Sequence, residues 1–366
     1  MPTGCTSDFF IGPKKQNSEE SFSYHIVLRL ILIGYGVIGQ GLSELLIARE
    51  RELSSSYGLN PRVVGIADQR GALMDPRGIN LPKALEAKRK KGSLSLSGSD
   101  YHKGMSATEL LRSVEGEVVV EMTPTNLRDG QPGLLHIESA LRSKMNVITA
   151  NKGPLALAMP VLLESAKYHG VHLRFSGTVG GGTPILEFGK TCLNPDKITA
   201  IQGILNGTTN FILTRMEQDG KSFNESLQLA QELGYAETDP SLDIDGYDTA
   251  AKLVITANWL MAKRSTIKDV SITGIREITQ KDIQRARKKG NAIRLVGTTE
   301  GDHLTVKPIE IAYTDPLCVK EALNGIRLIS EFVGEEIVIG KGAGGLETAS
   351  AILRDMLAIR ERLVSG

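Results

Sequence analysis

Cysteine is scarce in this chain of 366 residues, and the three present, Cys5, Cys192 and Cys318, form no C-x-x-C pair. A zinc ribbon is excluded and a disulfide framework is not supported, which fits a cytoplasmic protein. Charge of one sign is lacking too. Lys and Arg number 43 against 42 Asp and Glu, so no basic surplus exists to draw in nucleic acid or an anionic membrane. The two basic runs, 88–91 and 285–289, read as solvated faces or loops. Long apolar runs are also missing. The best candidate, Ile26 to Ile38, is broken by Arg29 and falls short of the roughly 18 residues a membrane helix needs. Residues 1–24 contain no basic stretch followed by an apolar one, so they read as a loosely ordered extension rather than a secretory signal. The length allows two or three domains with cores of their own.

What the chain does have is a concentration of carboxylates. Between Gly234 and Lys252, GYAETDPSLDIDGYDTAAK carries Glu237, Asp239, Asp243, Asp245 and Asp248. Such charges repel one another unless a cation sits among them, and Lys252 follows Asp248 by four, on the same helical face. One reading is a surface ion pair, common and worth a few tenths of a kcal/mol. A calcium loop is a second, since Asp243-Ile244-Asp245-Gly246 matches the D-x-D-G core of an EF-hand. It fails, because the register puts Lys252 where the bidentate glutamate belongs. A third is a pocket for an ammonium-bearing substrate with the lysine as acid/base. These residues alone leave the first and third open.

The apolar run His25 to Ile33 leads into Gly34-Tyr35-Gly36-Val37-Ile38-Gly39 and then a helical pattern through Leu42, Leu45 and Leu46. Strand, G-x-G-x-x-G, helix is the order of a dinucleotide site: a tight turn, close approach of the pyrophosphate to backbone, and helix packed on strand. The next strand, Arg62 to Ala67, ends in Asp68, where such folds place a carboxylate on the adenosine ribose. Asp68 favours NAD, whereas Arg70 or the lysine-rich run beyond would grip a 2′-phosphate. Strand-like runs return at 117–120 and 146–149, with a polar segment of insertion loops and short helices expected over 71–104. Thr123 and Lys152 lie just past those strands, at the edge where open parallel sheets keep their ligand crevice. Three glycines at 180–182 invite close backbone approach, and the GKGAGG turn from Gly340 opens a C-terminal helix expected over 349–363. Short strands and a basic helix, Lys281 to Lys289, are expected between Ser271 and Pro308.

In this order the pieces resemble the homoserine dehydrogenase family, over nearly everything from Leu30 onward. The segments that carry the likeness are GYGVIG at 34–39, TPTN at 123–126, TANKGPLA at 149–156, SGTVGGGTPIL at 176–186, GILNGTTNFIL at 203–213, the acidic run at 234–252 and GKGAGGLETASAILRD at 340–355. The resemblance implies an α/β fold: a Rossmann-type dinucleotide-binding domain at 25–155, completed by about 335–366, and an α+β catalytic and dimerisation domain at 156–334. It implies interconversion of L-homoserine and L-aspartate 4-semialdehyde with NAD or NADP, on the route to threonine, methionine and isoleucine, by a homodimer. By the same likeness Lys252 is the general acid/base, Lys152 and Asp248 assist at the reacting group, and Glu237, Asp248, Asp243, Gly234, Tyr235 and Thr208 hold the substrate. Gly34, Gly36, Val37, Ile38, Gly39, Asp68, Arg70, Thr123, Lys152, Gly342 and Ala343 would hold the cofactor.

Two departures stand out. Members often bind a monovalent cation, Na+ or K+, near a glutamate where this chain has Ser176; Val179, Gly181 and Thr183 are the oxygen donors then left. The chain also stops at the long helix after Ala349, so the C-terminal regulatory domain of longer relatives is not expected. An acylating semialdehyde dehydrogenase would need a nucleophilic cysteine, and no cysteine here has such a setting. A non-catalytic NAD(P) sensor would have no reason to assemble Lys252, Asp248 and Glu237. In the alcohol oxidation itself, hydride leaves carbon only as the hydroxyl proton departs, so a base must sit within hydrogen-bond reach.

Overall fold

The computed structural model describes residues 25–96 and 100–365; the extension expected at 1–24 lies outside the described residues. The first strand, Ile26–Ile33 (β1), is buried on both faces along its second half, which is why its sequence is apolar without alternation. It pairs in parallel with Leu59–Asp68 (β2) on one side and Val118–Glu121 (β5) on the other. Asn146–Thr149 (β6) and Leu173–Arg174 (β7) extend the parallel set beyond β5. Gly71–Met74 (β3) and Tyr101–Lys103 (β4) close the opposite edge in antiparallel fashion, with the helix Leu81–Lys91 between them. The order β4-β3-β2-β1-β5-β6-β7 reverses direction between β1 and β5. A crevice therefore opens at the carboxyl ends of these two strands.

A second sheet is built from Ile198–Ile204 (β8), Val270–Ile272 (β9), Asn291–Glu300 (β10), His303–Ala312 (β11), Leu323–Ser330 (β12) and Glu335–Lys341 (β13), in the order β13-β12-β8-β10-β11-β9. Of the short strands expected over 271–308, β9 is one, but the remainder form a long hairpin, since β10 and β11 pair without a break from Asn291 to Ala312. The helix Tyr247–Leu260 lies on this sheet and also against the helix Lys152–His169, so every residue from 249 to 258 is buried. A helix covered all round must be apolar all round. Lys252, in its middle, is the one charged exception, beside the polar Thr249, Thr256 and Asn258.

Both expected boundaries move. β7 pairs with β6, so the first lobe runs past residue 155 to at least Arg174. β13 pairs with β12 in the second sheet, so 335–341 leaves the dinucleotide lobe. Only the helix Gly345–Ser365 returns, packing Ala349, Ile352, Leu353, Met356 and Ile359 with Leu42 and Leu46 of the helix Val37–Ala48. Its start, four residues before the expected 349, reflects the last glycine of the turn, Gly345, entering the helix rather than preceding it.

The returning helix is tied to the junction between lobes by Asp355, 2% exposed. Its carboxyl accepts from Ser176 N at 2.9 Å and Ser176 Oγ at 2.5 Å, and the same hydroxyl meets Glu187. Burial, with the Glu187 charge nearby, pushes Asp355 up from 3.8 to about 7. The neutral acid is thus the form the fold favours. Its contribution to stability is complete below pH 3.8 and is lost as pH rises to about 7, because the unfolded chain releases the proton first. Asp355→Asn should remove that dependence: in thermal melts the Tm of the variant relative to the parent should climb between about pH 4 and 7 and level off above. A difference constant with pH would refute the assignment.

Candidate active site

Lys252 projects from the buried helix Tyr247–Leu260 toward the end of β8. Its Nζ lies 2.7 Å from Asp248 Oδ2 and donates to the carbonyl of Leu205, also at 2.7 Å. The i,i+4 spacing makes the first contact local; the second comes from the residue that follows β8, far back along the chain. Across the lobe boundary Lys152 Nζ stands 3.5 Å from Asp248 Oδ1. Lys152 is the first residue of its helix, set there by the Asn151 side chain, which accepts from Gly153 N at 3.0 Å. Side-chain exposure is only 14% for Asp248 and 8% for Lys252, so these charges are screened far less than a surface pair. Burial alone would raise Asp248, but the ammonium groups of Lys252 and Lys152 hold it well below the usual carboxylate range. The two lysines do not meet each other; Asp248 stands between them.

Asn206 completes the cluster. Its amide donates to Asp243 Oδ1 at 2.6 Å and Asp248 Oδ2 at 2.9 Å, while its carbonyl oxygen caps the helix Gly207–Asp219 through Thr209 N. Burial and the Asp248 charge push Asp243 above its ordinary value, against the Asn206 amide. Asp245 turns away to Arg276, whose Nη2 donates to Oδ2 at 2.9 Å, and Asp239 accepts from Ser241 N. Thr208 donates to Tyr235 O at 2.7 Å, and the Tyr235 ring, half exposed, lies on Phe211. Gly234 carries the chain through φ +76° into this loop. Glu237 is exposed, and no contact among the described residues joins its carboxylate to Asp248 or either lysine. The acidic run is thus divided: Asp243 and Asp248 face the lysines, whereas Asp239 and Asp245 hold the loop.

The crevice of the first sheet has the form a dinucleotide needs. A Cβ at Gly34 would stand 2.8 Å from the Met122 backbone and one at Gly39 only 2.6 Å from Gly34 O, whereas at Gly36 nothing lies within 4 Å. Close packing on either side of an open glycine, at a helix start with no side-chain cap, leaves backbone N–H groups free for a pyrophosphate. Val37 is exposed beside it and Ile38 half-buried. Asp68, ending β2, is already occupied: Oδ1 accepts from Gln69 N and Oδ2 lies 2.5 Å from Lys88 Nζ. Lys88 is therefore not part of a solvated face, as its basic run suggested. Arg70 is exposed nearby. The two glycine turns meet, since a Cβ at Gly181 would stand 3.1 Å from Ala343 N, and the Asn324 amide fills the space beside Gly342. Of the expected cation donors, Val179 is buried, and Thr183 is engaged within the chain, its hydroxyl donating to Lys341 O and its carbonyl accepting from Ile185 N. No group of three or more His, Cys, Asp or Glu fit for a metal occurs among the described residues.

Sequence reasoning missed Asn206, the Leu205 carbonyl and Glu121. Asn206 had a signal, an asparagine just before a helix. Glu121 had one too, a carboxylate closing the strand Val118–Glu121 that is otherwise valine. A backbone carbonyl has none. Of the cysteines, Cys192 is exposed, and burial raises the Cys318 thiol above its ordinary value, so it makes a poor nucleophile.

Known proteins agree with this geometry. The family model for the homoserine dehydrogenase NAD binding domain matches residues 34–176, and the homoserine dehydrogenase model matches 184–357. A homoserine dehydrogenase of Methanocaldococcus jannaschii is 44% identical over 90% of this chain and 98% of its own. An NAD(+)-dependent homoserine dehydrogenase of Pseudomonas canavaninivorans is 34% identical over 91% and 96%. Among solved structures, a homoserine dehydrogenase from Thiobacillus denitrificans superposes with TM-score 0.81 at 29% identity, covering 94% of this chain and 75% of that one. A hyperthermophilic archaeal homoserine dehydrogenase in complex with NADPH gives TM-score 0.81 at 28% identity, over 92% and 98%. With a dinucleotide crevice in one lobe, a buried lysine–carboxylate pair in the other, and near full-length relatives of one kind, the chain belongs to the homoserine dehydrogenase family.

Proposed function

We propose that this chain interconverts L-homoserine and L-aspartate 4-semialdehyde at the boundary between lobes, with Lys252 as the proton donor and acceptor. The observation that carries the assignment is the Asp248 carboxylate between Lys252 and Lys152. Gly34 to Gly39 and Thr123 would hold NAD or NADP, which would supply the hydride acceptor or donor. An ammonium group has three protons. At Lys252 one faces Asp248 and one Leu205 O, which leaves the third to donate to the oxygen that becomes the alcohol. In the reverse direction the same nitrogen, once neutral, takes the hydroxyl proton. Lys152, at the mouth of the crevice, adds positive charge beside that oxygen. Asp243 and Asp248 suit the substrate ammonium, and Glu237 reaches it only if the exposed loop folds inward. The monovalent cation expected on the 179–183 loop has no step in this scheme.

The pairing of Asp68 with Lys88 supports NADP as a cofactor: the carboxylate that would repel a 2′-phosphate is neutralised, with Arg70 at hand. We also propose a homodimer through the second lobe, supported by Phe332, Val333 and Ile339, which stand exposed at the β12–β13 edge. No helix of the described residues is long and apolar enough to cross a membrane, and the scarcity of cysteine supports a cytoplasmic setting.

Lys252→Ala should lower kcat by about 10² to 10⁴ in homoserine-dependent reduction of NAD(P), followed by absorbance, while cofactor binding persists. Unchanged turnover would sink the assignment. Lys88→Ala should lower kcat/KM for NADP about tenfold more than for NAD, roughly 1.4 kcal/mol; equal losses with both cofactors would remove Lys88 from the ribose site.

A further inference from the structure

Glu121 is a carboxylate at 0% exposure, at the carboxyl end of β5 and beneath the crevice. Burying such a charge costs several kcal/mol unless donors surround it. Its Oε1 accepts from Thr123 N at 3.1 Å and from the Thr123 hydroxyl, and its Oε2 accepts from Thr149 Oγ1 at 3.2 Å. Thr149 is its register neighbour on β6. The bonds continue around a ring. Thr149 Oγ1 accepts from Asn151 N at 3.0 Å, and Asn151 Nδ2 donates to Thr123 Oγ1 at 3.2 Å. Asn151 Oδ1 is then left to cap the helix that Lys152 begins. The start of the helix Gly133–Arg142 presses on the same group: a Cβ at Gly133 would meet Asn151 Nδ2 at 2.5 Å and Glu121 Oε2 at 3.3 Å. His136 Nδ1 stands 3.6 Å from Oε1, too far for a hydrogen bond.

A carboxylate only accepts, whereas hydroxyls and amides can be turned either way. Glu121 therefore sets the direction of the two threonine hydroxyls, while the backbone N–H groups of Thr123, Asn151 and Gly153 can only donate. With both hydroxyls donating toward it, each threonine oxygen is left to accept, Thr149 Oγ1 from Asn151 N and Thr123 Oγ1 from Asn151 Nδ2, which holds the asparagine that caps the helix.

We propose that Glu121 is a positioning residue for the reaction: it fixes Thr123 and, through Thr149 and Asn151, the helix start that aims Lys152 at Asp248. This rests on the role given to Lys152 under Proposed function. It adds a distant cause to that role, because Glu121 reaches the reacting atoms only through the ring.

The test is a double-mutant cycle in the intact protein between Glu121→Gln and Lys152→Ala, read as kcat and KM for homoserine with thermal melts alongside. Glu121→Gln keeps the shape but introduces a donor. It should lower kcat about tenfold with little change in KM. In the Lys152→Ala background it should lower kcat no further. A full tenfold loss in that background, or no loss in the parent, overturns the inference. Lys152→Ala with unchanged kcat would sink the role of Lys152 itself and this inference with it, an outcome told apart by that single variant. Should Glu121→Gln melt early, Thr149→Val breaks the ring at its other side and takes its place in the cycle. Thr149→Ser, which keeps the hydroxyl, should then recover the rate that Thr149→Val loses.

Discussion

Asp248 carries one negative charge to which two ammonium groups are drawn, one from its own helix and one from the other lobe. A buried carboxylate is costly to desolvate, and removing either partner from such a set is strongly destabilising. The cluster therefore constrains three things together: the depth of the Lys252 helix, the position of the helix that Lys152 begins, and the closeness of the two lobes. Leu205 O and Asn206, at the end of β8, hold the remaining polar groups of the set. Lys252, Leu205 and Asn206 are thus all held by backbone at the end of a strand or inside a buried helix.

The rest of the fold serves that closeness. The chain leaves the first lobe after β7, builds the second sheet, and comes back only with its last helix, which packs beside the glycine turn of the dinucleotide site. Ser176 and Asp355 meet where it leaves and where it returns. Ser176 gives that corner a hydroxyl shared by Glu187 and Asp355.

Much of the first lobe was legible because its signals are local. A glycine turn between an apolar strand and a helix is a short-range pattern, and so is the i,i+4 pair of Asp248 and Lys252. The boundaries at 155 and 335 were not legible. A two-residue strand such as β7 and an edge strand such as β13 owe their membership to pairing partners far along the chain. The β10–β11 hairpin was missed for a related reason: its outer strand is half-exposed and carries Pro308, which reads as a break. Within the acidic run, five carboxylates of one composition took different roles, because Arg276, Asn206 and the lysines approach from separate elements.

By itself the sequence determined the dinucleotide turn, the family and the i,i+4 pair of Asp248 and Lys252, because these depend on side-chain chemistry at short spacing. Tertiary structure alone decided that Asp248 stands between Lys152 and Lys252, that Asp68 is already paired with Lys88, and that Glu121 lies buried at the base of the crevice. The physical reason is burial. A charge placed out of water must take its partners from whichever elements the packing brings near, and no spacing along the chain states which those are.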